Sequence, residues 1–298
     1  MLKLLYRPPF IGLFPVALIF LLQALGHTHM VLLMRIFGPD SLYWIVGIEG
    51  LIGAILVVIG AKIGDEVWAT WLGFAGGVQL WNGWVEFAFV YYAHRYVDPN
   101  IQANMTKPEY LIMPSSLGIV LAIGMYFLLN RETRCNAFVW IQKHLGLKVG
   151  EPTPGYIRNY STITAIEYVS IAWFFYMVLL LLYDRKFVGD HHPLTYAAFF
   201  LFFVWGLYCT QRIVKFTRIT GALRYAIPVA AIWWSEIEIL GRWKLLKEVW
   251  LFPEKHIIEM SLIAGAFITF VAYSLWASRN RLAQQEREAL ARQGVAAE

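Results

Sequence analysis

Histidines and acidic residues lie inside or at the edges of long apolar stretches of this sequence. They are His27, His29, Glu49, Glu86, His94, Glu167, Glu236, Glu238, His256 and Glu259. A charge at the centre of a bilayer costs about 2.5–3.5 kcal/mol on insertion scales, so each such residue needs a compensating partner or a function. Imidazoles bind zinc, copper and iron, and carboxylates complete metal sites or transfer protons. These residue types therefore predict metal-binding or proton-transfer chemistry within a membrane.

Helical spacing brings some of these side chains onto common faces. Gln79, Asn82 and Glu86 recur at i, i+3 and i+7, which predicts one polar stripe along a helix. A similar stripe on the first apolar stretch consists of Gln23, His27, Met30 and Met34. His29 lies two positions after His27, so a regular helix directs the two imidazoles to nearly opposite sides.

We interpret this set as a metal site with neighbouring acid–base groups. The predicted metal ligands are His27, His29, His94, His256 and Glu259, and the predicted catalytic carboxylates are Glu86, Glu49 and Glu238. Imidazole with carboxylate favours iron or zinc, and methionine beside histidine favours copper, so copper or iron is expected. Haem with an axial histidine is an alternative. Glu167 and Arg212 are expected to pair with each other.

The composition identifies the elements that must position these residues. The 298 residues are 59% hydrophobic and only 15% charged, with a mean hydropathy of +0.54 and a net charge of +5. Soluble domains carry roughly 25% charged residues. The composition excludes a cytosolic enzyme, a nucleic-acid-binding module and a disordered chain. It predicts an all-α, polytopic transmembrane helical bundle in the cell inner membrane.

A span needs about 20 mostly apolar residues, and on that basis the sequence predicts eight. They run over Phe10–Met34, Leu42–Ile63, Val67–Tyr92, Tyr110–Asn130, Thr162–Tyr183, Leu194–Ile213, Leu223–Leu240 and Ile257–Ala277. The seventh contains Pro228, Glu236 and Glu238, and a broken or half-inserted helix is the alternative there. Cys135 and Cys209 show no CxxC spacing and predict neither a disulfide framework nor a thiolate metal site.

Basic residues in the connecting segments predict the orientation. With the N-terminus inside, sixteen Lys and Arg fall on the inner side and nine on the outer side, so both termini are expected in the cytoplasm. Residues 1–278 then form one transmembrane domain. Its inner loop, 131–160, contains an expected interfacial helix at Phe138–Leu147, and residues 279–298 form a charged, helical, cytosolic tail. This orientation directs most of the histidines and acids to the outer half of the membrane.

Short sequence runs resemble the copper membrane monooxygenases, the family that oxidises methane and ammonia. Phe14-Pro15, His27-Thr28-His29 and Leu32-Leu33 are similar to the first span of the A subunit, and Pro114 with the apolar run ending at Asn130 is similar to a later part of it. His256-Ile257-Ile258-Glu259 resembles a run in the C subunit, where Phe252 stands in place of an aspartate. These pieces cover about a tenth of the chain and imply an outward-facing copper oxidase.

The leading hypothesis is thus a metal-dependent membrane oxidoreductase, similar to a monooxygenase, acting on an apolar or membrane-dissolved substrate near the outer leaflet. A partner subunit would exchange electrons with it, because no motif for flavin or nicotinamide is present. One alternative is a proton- or ion-coupled transporter or channel subunit. A second is a terpenoid-type cyclase or lyase with Glu86 or Glu238 as general acid, and a third is an anchoring subunit without chemistry. No nucleic-acid partner is expected.

Overall fold

The computed structural model describes residues 7–96, 113–130, 133, 136–147 and 158–295, with a few side chains inside the helices left out. These residues form helices and connecting turns and contain no strand, which confirms the all-α class. Five helices are long and apolar enough to cross a membrane. They are α1 (Phe10–Gly38), α2 (Ser41–Lys62), α7 (Tyr160–Tyr183), α8 (Pro193–Ile213) and the first part, Ile257–Trp276, of α10 (Ile257–Val295).

The first two spans are the arms of one helical run, Phe10–Lys62, that turns back on itself at Gly38. Gly38 has φ 66° and ψ 172°, a backbone conformation that a residue without Cβ adopts readily. His29 on the first arm lies 3.1 Å from Glu49 on the second, although the two are 20 residues apart in sequence. The arms therefore pack as an antiparallel hairpin.

The next helical segment runs from α3 (Glu66–Leu80) through a π-helical turn (Trp81–Glu86) into α4 (Phe87–Tyr96). Asp65 caps it by accepting a hydrogen bond from the backbone N–H of Trp68 at 2.9 Å. Glycines allow it to approach its neighbours closely, because a Cβ on Gly73 would overlap the backbone of Ser161 in α7. Small residues at such contacts are typical of membrane helix pairs.

Adding a single methyl group at Gly73 should destabilise this packing. We expect Gly73→Ala to lower the free energy of unfolding by about 1–3 kcal/mol, because the new Cβ must displace the Ser161 backbone. Unfolding by denaturant in detergent micelles measures the change. Gly64→Ala is the matched control, since nothing lies within 4 Å of a Cβ built at Gly64. Equal stability of the two variants would contradict the close approach of α3 and α7.

Helix α9 (Ile219–Arg242) packs against the first hairpin, α7 and α8. It has 24 residues but does not belong to the five apolar helices, because Arg224, Glu236 and Glu238 lower its hydropathy. Arg224 makes two hydrogen bonds to the carboxylate of Glu167 on α7, the one from Nε at 2.7 Å. The predicted pairing of Glu167 with Arg212 is wrong, because Arg224 lies on the helix that packs against α7.

Polar contacts tie the loops together at the end of the bundle where Gly38 turns. Arg242 donates a hydrogen bond from Nε to Asp190 at 2.9 Å, which joins the α8–α9 hairpin to the loop after α7. Arg35 lies 2.5 Å from Glu254, in the turn before α10. The backbone amide of Glu254 and, to a smaller extent, the Arg35 guanidinium lower the pKa of the Glu254 carboxyl group below its ordinary value. The Arg242–Asp190 pair is largely buried, whereas the Arg35–Glu254 pair is about half exposed and contributes little to stability.

Two short helices follow α4 along the chain, and the first of them packs against α7. Helix α5 (Leu117–Leu129) follows a 3-10 turn at Met113–Ser116 and covers most of the fourth predicted span, whose first three residues lie outside the described part of the chain. Helix α6 (Asn136–His144) overlaps the segment Phe138–Leu147 for which an interfacial helix is predicted, and its Trp140 is 62% exposed. The side-chain amide of Gln142 donates to the carbonyls of Leu128 and Asn130. It thereby satisfies acceptors at the end of α5 that the helix itself leaves unpaired.

Candidate functional site

A cavity of about 60 Å³ lies between α1, the α3–π-turn segment, α7 and α9. Its polar lining residues are Gln23, His27, Asn82, Glu86, Tyr168, Tyr176, Ser235 and Glu238, and Trp81 and Trp234 are among the apolar ones. Since a water molecule needs roughly 10–15 Å³ by this measure, the cavity has room for about four. A site for an organic ligand typically measures roughly 300–1,000 Å³. The cavity thus fits water or another very small group.

His27, Glu238 and Trp234 contact one another in the cavity wall. The Nε2 atom of His27 lies 3.3 Å from Oε1 of Glu238. The indole N–H of Trp234 donates to the same oxygen at 2.9 Å, one helical turn away on α9. The Trp234 ring also stacks on the imidazole, with centroids 5.6 Å apart. Trp234 therefore orients both members of the pair.

The π-helical turn positions Glu86 and Asn82 on the opposite wall. A π-turn inserts one extra residue into the helical repeat and often occurs at functional sites. It also breaks the predicted polar stripe. Asn82 and Glu86 line the cavity, whereas the Cβ of Gln79 lies against Gly53 of α2. Gln79 does not share the cavity-facing side with Asn82 and Glu86, because the number of residues per helical turn changes at Trp81.

Helix α7 supplies the third wall. Tyr168, Ala172 and Tyr176 recur at i, i+4 and i+8 and so lie on the cavity-facing side. Sequence reasoning did not single out these tyrosines or Ser235 on α9. The sequence feature that could have identified Tyr168 and Tyr176 is their i, i+8 spacing around Ala172 in a largely apolar helix.

The cavity lies at the depth of the hydrocarbon core when α1 crosses the membrane. His27 lies about 25 Å along α1 from Phe10 and about 16 Å from Gly38, at 1.5 Å per residue. The hydrocarbon core is about 30 Å thick, so a span of this length places His27 within it. Backbone and side-chain polar groups at that depth must find partners inside the protein.

The remaining predicted site residues lie in other places. His29 and Glu49 form their own pair between the two arms of the hairpin, with Oε1 of Glu49 buried. His256 and Glu259 form an exposed i, i+3 pair at the start of α10, at 3.3 Å. His94 lies in α4, but its side chain is outside the described residues. Of the eight predicted residues, the structure brings His27, Glu86 and Glu238 to one cavity.

The cavity combines an imidazole, two carboxylates and several neutral hydrogen-bonding groups. A histidine in contact with a carboxylate holds and exchanges a proton readily. Within the described part of the chain, no three His, Cys, Asp or Glu side chains are grouped closely enough to hold a metal ion. The copper, iron and haem predictions therefore stay predictions, and His27 with Glu86 and Glu238 are the residues nearest to such a ligand set.

Comparisons with protein-family models, curated proteins and solved structures give no match for this chain.

Proposed function

We propose that this protein is a multi-pass membrane protein that binds protons in the cavity between α1, α3, α7 and α9 and conducts them across the membrane. The observation that carries the proposal is that His27, Glu86 and Glu238 line one cavity, which has room for a few water molecules and lies at the depth of a candidate membrane span. Ionisable residues within membrane segments commonly mark proton or ion pathways. The proposal thus favours the first alternative from the sequence, a transporter or channel subunit, over the oxidoreductase.

The size and chemistry of the cavity favour protons over an organic substrate. Room for about four waters suffices for a hydrated proton relay but not for an apolar substrate of ordinary size. Proton binding needs only the side chains that already line the wall. A metal-dependent oxidation would require His27, Glu86 and Glu238 to move together into a ligand set.

The finer topology belongs to the same proposal. The five apolar helices, together with α3–α4, α5 and α9, give eight spans with both termini in the cytoplasm and the protein in the inner membrane. Lys62, Arg158 and Arg218 fall at one end of the bundle, which the preference for cytoplasmic basic residues assigns to the inside. The cavity then lies closer to the outer face.

Replacing either cavity carboxylate should abolish proton movement. We expect wild-type protein in phosphatidylcholine–phosphatidylglycerol vesicles to acidify a lumen containing pyranine when valinomycin and a potassium gradient impose a negative-inside potential. Glu86→Gln and Glu238→Gln should each reduce the rate by at least about a hundredfold, the lower end of the range for loss of a positioned acid–base group. Glu254→Gln is the matched control, because Glu254 is exposed and does not line the cavity.

Two results would contradict the proposal. Wild-type flux no greater than that of empty vesicles would exclude proton transport by this chain. Stoichiometric copper or iron in the purified protein, lost in His27→Ala, would instead favour the oxidoreductase predicted from the sequence. Metal analysis and an optical spectrum of the same preparation supply that second measurement.

A further inference from the structure

Glu236 lies on α9 with its carboxyl group enclosed by protein. The residue is 4% exposed, and both carboxyl oxygens are buried. In the described part of the chain neither oxygen has a hydrogen-bond partner. Burial of an unpaired carboxylate is strongly unfavourable, and such a group takes up a proton instead. Glu236 therefore differs from the other acidic residues named above in having both carboxyl oxygens buried without a hydrogen-bond partner among the described residues.

The helix directs Glu236 away from the cavity. Glu238 is two residues further along, and a rotation of about 100° per residue separates the two side chains by about 200°. Ile232 and Ile239 share the face of Glu236 at i−4 and i+3, and both are fully buried. The surroundings of Glu236 on its own helix are thus apolar, whereas Glu238 lies among polar groups.

Three charged or titratable groups on the elements packed against α9 form pairs with residues other than Glu236. Glu167 on α7 pairs with Arg224, Asp190 in the loop before α8 pairs with Arg242, and His27 on α1 contacts Glu238. On the remaining neighbours, Arg212 is exposed at the end of α8 and Glu86 lines the cavity. None of these groups supplies a counter-charge to Glu236.

We propose that Glu236 is a second proton-binding site, a neutral carboxylic acid inside the bundle that is separate from the cavity and reacts selectively with hydrophobic carbodiimides. The proposal does not rest on proton transport, because the reaction reports only on this carboxyl group. A hydrophobic carbodiimide partitions into the bilayer and reaches the enclosed carboxyl group when the helices separate transiently, whereas the apolar surroundings exclude a charged reagent from water.

The modification is a balanced addition. The carboxyl O–H adds across one C=N bond of the carbodiimide, so that the proton goes to nitrogen and the oxygen bonds to the central carbon. The acyl group of this O-acylisourea then migrates to nitrogen and gives a stable N-acylurea. Nothing leaves, and the peptide gains the mass of one reagent molecule.

The full-length protein in lipid nanodiscs is treated with dicyclohexylcarbodiimide or with a water-soluble cationic carbodiimide, digested and sequenced by tandem mass spectrometry. We expect the adduct on Glu236 with the hydrophobic reagent only. Glu236→Gln should lose it, and Glu238→Gln should retain it. A higher pH should slow labelling, because the ionised carboxylate does not add.

Three outcomes would overturn the proposal. They are no adduct on Glu236, an adduct on Glu238 or Glu86 in its place, and equal labelling of Glu236 by the water-soluble reagent. A second variant tests the same point without labelling. Glu236→Met should raise the melting temperature, because it removes a buried group without a partner. A lower melting temperature would mean that the carboxyl makes stabilising contacts, contrary to the proposal.

Discussion

Replacing Arg224 with methionine should lower the free energy of unfolding by about 3–5 kcal/mol, the range found when one member of a buried ion pair is removed. Arg224 donates two hydrogen bonds to Glu167, and the two side chains are only 15% and 9% exposed. Methionine keeps much of the volume but leaves the carboxylate inside the bundle without its counter-charge. Equilibrium unfolding in mixed detergent micelles measures the loss.

Matched variants separate the charge effect from packing. Combining Arg224→Met with Glu167→Leu should recover most of the lost stability, because an apolar pair often replaces a buried ion pair at little cost. Arg212→Met, at the exposed end of α8, should change stability by less than about 0.5 kcal/mol. A double variant as unstable as the sum of its single changes would show that Glu167 and Arg224 do not act as a pair.

The spans were predictable because apolar run length is a local property of the sequence. Five predicted spans correspond to the helices α1, α2, α7, α8 and α10, to within a few residues at most ends. Partner choice was not predictable in the same way. Arg212 and Arg224 are both basic residues near the same end of the bundle, and only the packing of α9 against α7 decides which one meets Glu167.

The cavity was predictable in part for a similar reason. Helical spacing identified His27 and Glu86 as members of polar stripes, and charge in an apolar segment identified Glu238. Their meeting depends on three helices that are far apart in the sequence. The exclusion of Gln79 from the cavity depends on the π-turn that begins at Trp81. Spacing rules assume a constant helical repeat, so they fail where the repeat changes.

The second large effect concerns Trp234, the residue that joins the His27–Glu238 pair to the surrounding core. Its ring contacts Phe20 and Trp250, with centroids 5.5 Å and 4.7 Å away, besides the stack on His27. We expect Trp234→Ala to lower the free energy of unfolding by about 3–5 kcal/mol, as truncation of a buried tryptophan does. Thermal unfolding of the purified variant in micelles measures the loss.

A conservative change at the same position tests its effect on the site. Trp234→Phe keeps a stacked ring but removes the N–H donor to Oε1 of Glu238. Since that donor bonds directly to the carboxyl group, its loss should change the frequency of the Glu238 carboxyl stretching band in infrared spectra of Trp234→Phe. Glu238→Gln in the same background should remove that band. An unchanged band would mean that Trp234 supports the fold without tuning the proton site.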